Sequence, residues 1–549
     1  MASIKEWEKG IVVRWDKDDW IKGLAPTYGL GVDSRPANGL NSATAVDPFR
    51  RYGFLCPGYV PTAATNSNVV AAVIRNGVPN GNKIYAIEAG AKLHEITNTL
   101  TPSITTPTTF PHTIGGNLSG GGIHTTGSHT TFVGSDIAAY YLDGTKYIFY
   151  SWNDNTDGGV GRYDLSTTFA DDYVLASATS GAVLNKNYQH PMIVGGDNIL
   201  YVGNGKDLAS LQGTTSDGIW NASALDLPTG YEIQSFSKTT NFLVIYANLN
   251  PDPNNNLSDT IRADAVAFFW DMVSDSFTYA IPLQGSVVSG GFIMNGIPGC
   301  FVQGQNEQAT ATKSKVLLYN GSSFDTVTRF DESIPIHGGV EVTGNLIVWN
   351  SSGKMMSYGQ AYQGQDESLQ KLASGSGTTS GIMRTFNDSL NSGKIMSSGA
   401  TTAGGYEIFG TGKFSESALA ETGQVQLPTS GRDGWQVDFA KVNYFAKVSS
   451  GTRFDLSITT DSTVTASEAR GGATYLYESA SAGPASITQI SKIYSTTSGI
   501  SSTGSFPLIQ SSVGMRIDWT GGSGTSTADA PCIEFIELYL SRVSIEEKA

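Results

Sequence analysis

The sequence is poor in charge. Only 15% of its 549 residues are Asp, Glu, Lys or Arg, against about 25% in ordinary soluble domains. Basic charge is the scarcer sign: 34 Lys and Arg face 49 Asp and Glu, a net of −15. Such a chain suits neither phosphate backbones nor anionic membranes, so stable nucleic-acid binding is not expected. Cysteine is almost missing. Cys56, Cys300 and Cys532 are far apart and odd in number, so the expectation is buried free thiols in a reducing compartment, with neither a disulfide framework nor a cysteine metal cluster. No run of about 18 apolar residues occurs, and no membrane span is expected. The first residues, MASIKEWEKG, are charged and lack the apolar stretch of a secretory signal. Without a secretory route, the Asn-x-Ser/Thr sequons at Asn117, Asn221 and Asn350 read as products of composition. Helical periodicity is scarce as well; only 366–374 (DESLQKLAS) and parts of the first sixty residues suit a short helix. H-E-x-x-H, G-x-S-x-G and a cysteine in catalytic context are all missing, and no enzyme is expected. Asp264 and Asp271 flank the apolar run AVAFFW, but paired acids of this kind are equally well solvated strand ends.

What fills the chain instead is turn chemistry. Gly is 64 and Pro is 20, while apolar residues reach 39% and aromatics 10%. That is enough for a core, and it is the make-up of many short strands joined by turns. From about residue 80 a short apolar-aromatic strand, a Gly/Asn/Asp turn and a second strand recur. Examples are KIYAIEAGAKLHEI (83–96), NILYVGNGKDLASL (198–211) and KVLLYNGSSFDTVTRF (315–330). The leading strands start near 84, 148, 199, 243, 301, 346 and 394, roughly 50 residues apart, the length of one four-stranded propeller blade with its loops. Beyond 410 the strands lengthen, and Phe454, Leu456 and Ile458 alternate, as do Met515, Ile517 and Trp519. Period-2 alternation means one buried and one wet face, as in a sandwich. The fold expected is all-β: an extended N-terminal arm (1–60), a β-propeller of about seven blades (61–410) and a jelly-roll-like C-terminal β-sandwich (411–549).

The arm holds Trp7, Trp15 and Trp20, three of the nine tryptophans. They either staple the arm to this chain's own core or form an inter-subunit contact. The sharpest candidate for a ligand is NDNTDGGVGRYD (153–164). Asn153, Asn155, Asp157 and Asp164 fall on oxygen-ligand positions 1, 3, 5 and 12 of a calcium loop, with Gly158 at the sharp turn. The other reading is a turn that needs no metal, and calcium is the one cofactor considered. His112, His124 and His129 share a Gly-rich loop with no carboxylate among them and read as loop histidines. TSDGIW (215–220) has the look of a single, imperfect Asp-box turn. Tyr475, Tyr477 and Trp519 are aromatics that would either stack on sugar rings or pack in the sheet.

DPFRRYGFLCPGY (47–59), FFWDMVSDSFTYAIPL (268–283), VLLYNGSSFDTVTRF (316–330) and NLIVWNSSGKMMSYG (345–359) resemble segments of tail-associated propeller proteins of tailed-bacteriophage virions, such as nozzle or hub components. The resemblance implies a structural building block of the virion tail, made in the host cytoplasm. It would stand in several copies around a symmetry axis, dock other tail proteins and have no catalytic duty. The net acidity would keep DNA from adhering to a conduit. The alternative is a receptor protein that binds or cleaves host glycans.

Overall fold

A computed structural model describes residues 3–20, 40–44, 46–47, 54–57, 62–65, 74–80, 83–88, 93–97, 104–105, 133–153, 158–166, 169–170, 184–185, 188–213, 218–249, 264–305, 311–329, 339–342, 346–351, 354–360, 368–374, 383–386, 394–399, 405–409, 418–428, 433–446, 453–460, 475–478, 488–495, 508–509, 512–520 and 532–544. The chain divides into two compact units, 1–62 with 354–375 and 411–549, and 63–353 with 376–410.

The described residues of the second unit, together with Thr62, Lys354–Gly359 and Ser368–Ser374 counted in the first, make a ring of seven four-stranded antiparallel sheets. Blade 1 runs Ile74–Asn80, Lys83–Glu88, Leu93–Thr97, Ile104–Thr105, and blade 2 runs Val133–Leu142, Thr145–Asn153, Gly158–Tyr163, Phe169–Ala170. Blade 3 is Met192–Val194, Leu200–Asn204, Asp207–Gln212, Ile219–Asp226; blade 4 is Tyr231–Lys238, Leu243–Leu249, Ala265–Trp270, Tyr279–Pro282. Blade 5 is Val287–Met294, Ile297–Gln305, Ala311–Tyr319, Phe324–Arg329, and blade 6 is Gly339–Val342, Leu346–Ser351, Lys354–Gly359, Ser368–Ser374. Blade 7 takes Met383–Phe386, Lys394–Gly399 and Gly405–Phe409 from late in the chain and its fourth strand, Thr62–Thr65, from early in it. The first strand of each blade touches the first strand of the next, and Met383–Phe386 returns to Ile74–Asn80. The ring is therefore closed, a seven-bladed β-propeller. The periodic strands read from the sequence are the second strand of each blade. These carry apolar residues on both faces because a blade is packed on both sides, as in Leu243–Leu249, where six consecutive residues are buried.

Local chemistry sets the hairpins. Asp143-Gly144 in blade 2 and Asn295-Gly296 in blade 5 both hold two consecutive positive φ angles (51° and 72°, 54° and 75°), the two-residue turn that matches strand twist. Between blades, apolar layers interlock. Val244, Tyr246, Phe269, Val288, Cys300 and Leu317 belong to one core shared by blades 4 and 5. Gly291 lets the blade 5 backbone meet the Tyr246 ring: a Cβ there would sit 2.4 Å from Cε2.

The first unit, apart from 354–375, is built on a sandwich of two six-stranded sheets. One runs Ser3–Trp7, Gly10–Trp15, Cys532–Ser544, Asp433–Ala446, Thr488–Ser495, with Leu508–Ile509 also on Asp433–Ala446. The other runs Leu40–Thr44, Leu419–Thr422, Ser512–Thr520, Arg453–Thr460, Tyr475–Glu478, with Val425–Gln426 also on Ser512–Thr520. The alternating residues Phe454, Leu456, Ile458, Met515, Ile517 and Trp519 fill the core between them.

Three expectations are corrected. Residues 1–60 are more than an extended arm, because they supply strands to both sandwich sheets; Gly10–Trp15 pairs with Cys532–Ser544 and Leu40–Thr44 with Leu419–Thr422, hundreds of residues away and out of reach of any local pattern. Ser368–Ser374, expected as helix, is the outer strand of blade 6, its register set by pairing with Lys354–Gly359. Cys56 and Cys532 form a disulfide across a separation of 476 residues. The Leu55–Ile533 bridge brings the two segments side by side, which distance along the chain does not reveal. Cys300 stays a buried thiol, and burial pushes its pKa well up.

Candidate functional site

The outward face of the sandwich sheet that contains Ser3–Trp7 and Cys532–Ser544 gathers the best-equipped surface. Alternation sends Ile11, Val13, Trp15, Val442, Ile536 and Leu538 inward. Their neighbours Arg14, Lys441, Phe535, Glu537 and Tyr539 are left on the other side. A bulge between Val437 and Phe439 restores this parity in Asp433–Ala446 and turns Phe439 outward. Phe439 and Tyr539 stack with ring centroids 4.1 Å apart at 18°. Trp7 stands edge-on to both, at 5.8 and 5.5 Å.

Beside this platform, Arg14 binds Glu537 at 2.9 Å and Asp16 at 2.9 Å, while its guanidinium lies 4.2 Å over the Phe535 ring. The Tyr539 hydroxyl donates to Glu537 at 3.2 Å. Burial, joined by the Glu537 charge, pushes the Tyr539 pKa up, so the phenol is neutral near pH 7. Glu534 accepts from Asn443 and, at 2.8 Å, from Gln489. The ions largely compensate one another, so the face offers aromatic stacking and orienting hydrogen bonds more than net charge.

The predicted residues divide sharply around this site. Trp7 is on it, half-buried. Trp15 and Trp20 are fully buried in the sandwich core, and the Trp20 Nε1–H donates to the Glu534 carbonyl at 3.2 Å. They are therefore core anchors of this chain, a correction to their reading as an inter-subunit contact. Trp519 is likewise core. The side chains of Tyr475 and Tyr477 lie outside the described residues, as do His112, His124 and His129.

The calcium reading is also corrected. Asn155 and Asp157 lie outside the described residues, but Asn153 pairs with Gly158 and the chain then runs extended through Tyr163. At about 3.3 Å per residue, Asp164 stands roughly 20 Å from Asn153, whereas two ligands of one calcium ion sit within about 5 Å of each other. Asp164 instead accepts the Ser166 N–H at 2.9 Å. Counting twelve positions assumes a loop, and seven of them, Asn153 and Gly158–Tyr163, are strand. Asp264 and Asp271 bracket the extended Ala265–Trp270 from opposite ends and do not converge.

A repeated turn escaped the sequence reading. Tyr163-Asp164, Trp270-Asp271 and Tyr319-Asn320 each end a third strand, and each is followed by a residue at positive φ: Leu165, Met272 and Gly321. In all three the aromatic's polar atom donates into the turn, Tyr163 to the Ser166 carbonyl, Trp270 Nε1 to that of Ser274, Tyr319 to that of Gly321. The Asx side chain accepts backbone N–H groups of the same turn. Aligning YDLS, WDMVS and YNGSS would have exposed it. His190 also went unnoticed; it is buried, with Nδ1 2.9 Å from the Gly203 carbonyl, and burial lowers its pKa to about 4.

No family model and no curated protein matches the sequence. Among solved structures, the chain is similar to the β-propeller domain of Myceliophteria thermophila Cps50 (Swd1), with 8% identity over 64% of this chain and 99% of that one and a TM-score of 0.37. It is also similar to the Dos1 propeller, with 11% identity over 65% and 96% and a TM-score of 0.39. A third is the computationally designed Ika8 protein, with 12% identity over 62% and 97% and a TM-score of 0.33. At these scores the fold rests on the strand order and ring closure above, not on the likeness. Among the described residues, no helix is long and apolar enough to cross a membrane. The chain is an all-β protein made of a seven-bladed propeller and a β-sandwich.

Proposed function

We propose that the chain is a non-enzymatic structural component of a phage virion, in its tail as a nozzle, hub or adaptor subunit. It stands there in several copies around a symmetry axis and docks other tail proteins. The observation that supports this reading is where the blades place certain buried and half-buried polar side chains: they pin one blade to the next. Asp136 of blade 2 accepts the Met192 N–H of blade 3 at 2.7 Å. Asn248 and Ser235 of blade 4 accept the Val288 and Gly291 N–H groups of blade 5 at 2.9 and 2.8 Å. The Tyr246 hydroxyl donates to the Gly299 carbonyl at 2.9 Å. Polar groups used in this way make a stiff disc, and stiffness is what a docking ring requires. Imaging purified particles with this chain labelled is the test. Several copies on the tail axis are expected, and particles that lack the chain contradict the proposal.

A second reading, host-glycan binding, is favoured by the Trp7, Phe439 and Tyr539 platform. A glycan array probed with the intact chain and with Trp7→Ala separates the two: binding that the substitution removes supports the second.

A further inference from the structure

Among the described residues of the propeller, four large apolar side chains stand in solvent: Tyr141 (54% exposed), Ile219 (62%), Val273 (86%) and Ile297 (39%). They belong to blades 2, 3, 4 and 5 in succession. Because strands alternate in direction, the turns after the first and third strands of every blade open on one face of the disc. Tyr141 precedes the Asp143-Gly144 turn, and Ile297 follows Asn295-Gly296. Ile219 opens the fourth strand of blade 3, and Val273 lies in the turn before the fourth strand of blade 4. All four therefore share that face. Lys238 reaching the Val194 carbonyl at 2.8 Å, and Lys146 reaching Asn80 at 2.8 Å, tie neighbouring blades together there. On the opposite face the described turn residues Leu227 and Leu283 are buried.

The exposed turns are held, not loose. Asp271 accepts the Val273 and Ser274 N–H groups at 3.0 and 2.8 Å, and Trp270 anchors the same turn through Ser274. A capped turn that fixes a valine in water gains nothing for the fold. Charge defines the complement. Among the described residues at the turns of this face, Asp143, Asp164, Asp197, Asp271, Asp275 and Asp325 stand against Lys83, Lys146 and Lys238, so the described part of the face is negative. A second copy of a chain with net charge −15 is repelled from it.

We propose that this face is a docking surface for a polypeptide segment that combines apolar side chains with net positive charge. The proposal stands whether or not the chain belongs to a virion. The test is fluorescence anisotropy on the full chain with a labelled peptide of alternating leucine and lysine, beside its leucine–glutamate counterpart. The lysine peptide binds, more weakly as salt rises, and the glutamate peptide does not. The pair Val273→Asp with Ile219→Asp, and separately Asp143→Lys with Asp275→Lys, each weakens binding about tenfold or more. Ile493→Asp on the sandwich leaves it unchanged. Where an aspartate pair lowers the melting temperature, Val273→Thr with Ile219→Thr gives the reading instead. The proposal is overturned by no binding of the lysine peptide, by equal binding of both peptides, or by variants that bind like the parent. Self-association of the parent that Val273→Asp abolishes assigns the face to a second copy and overturns it too.

Discussion

Within the first six blades of the propeller, strands pair in chain order across nearby turns, as Leu142 with Thr145 or Met294 with Ile297. In the sandwich, Gly10–Trp15 pairs with Cys532–Ser544, matching Val13 to Leu538 and Trp15 to Ile536. Blades can form from contacts that cost little loop entropy, and one distant strand, Thr62–Thr65, completes the ring. The sandwich needs both ends of the described chain before its core exists. The propeller and the sandwich are thus expected to respond to different perturbations, one melting without the other.

The largest effect is expected from Trp15→Ala. The indole is fully buried in the sandwich core, and truncation costs about 3–5 kcal/mol. In calorimetry the sandwich transition shifts down while the propeller transition holds. Both moving together would merge the units into one cooperative block.

Next comes the disulfide. Cys56→Ser should cost about 2–4 kcal/mol, again confined to the sandwich. Thiol titration of the unfolded, unreduced chain should find only Cys300 reactive; three reactive thiols would refute the pairing.

The propeller has its own perturbation, pH. His190 is neutral when folded, with a pKa near 4 against an ordinary 6.5. Between those values the unfolded state binds more protons, so stability is full above pH 6.5 and falls as the pH drops toward 4. The loss is on the order of 3 kcal/mol at most. Melting curves between pH 7 and pH 4 should show the propeller transition falling, with a flatter slope in His190→Gln; an unchanged slope would remove the histidine as the cause.

The smallest effect is expected at a blade pin. Asn248→Ala leaves the Val288 N–H without its partner and should destabilise the propeller by about 1–3 kcal/mol. A loss confined to the sandwich transition would break the assignment.

What was legible in the sequence follows the same divide. The second strands announced themselves because a blade buries both faces and its turns need Asn-Gly or Asp-Gly. The alternation of Phe454, Leu456 and Ile458 announced a half-buried sheet. Residues 3–15 and 40–44 could not be placed, because nothing local names a partner hundreds of residues away. For that reason the sequence left open whether Trp15 and Trp20 anchor to this chain's own core or to a neighbouring subunit. The outward platform was half visible: Trp7 was singled out, but Phe439 turns outward only through a bulge, and Tyr539 and Arg14 come to share Glu537 only by register. The calcium pattern failed because spacing in sequence carries no information about whether six residues coil or extend. The Tyr163, Trp270 and Tyr319 turns were legible and overlooked, since their shared feature is an aromatic followed by Asp or Asn, shorter than the repeats usually sought.

A density map of the isolated chain tests the ring most directly. It should show seven four-stranded sheets about one axis, with Thr62–Thr65 as the outer strand beside Gly405–Phe409. Six or eight sheets, or an outer strand there supplied by residues following Phe409, would contradict the closure described.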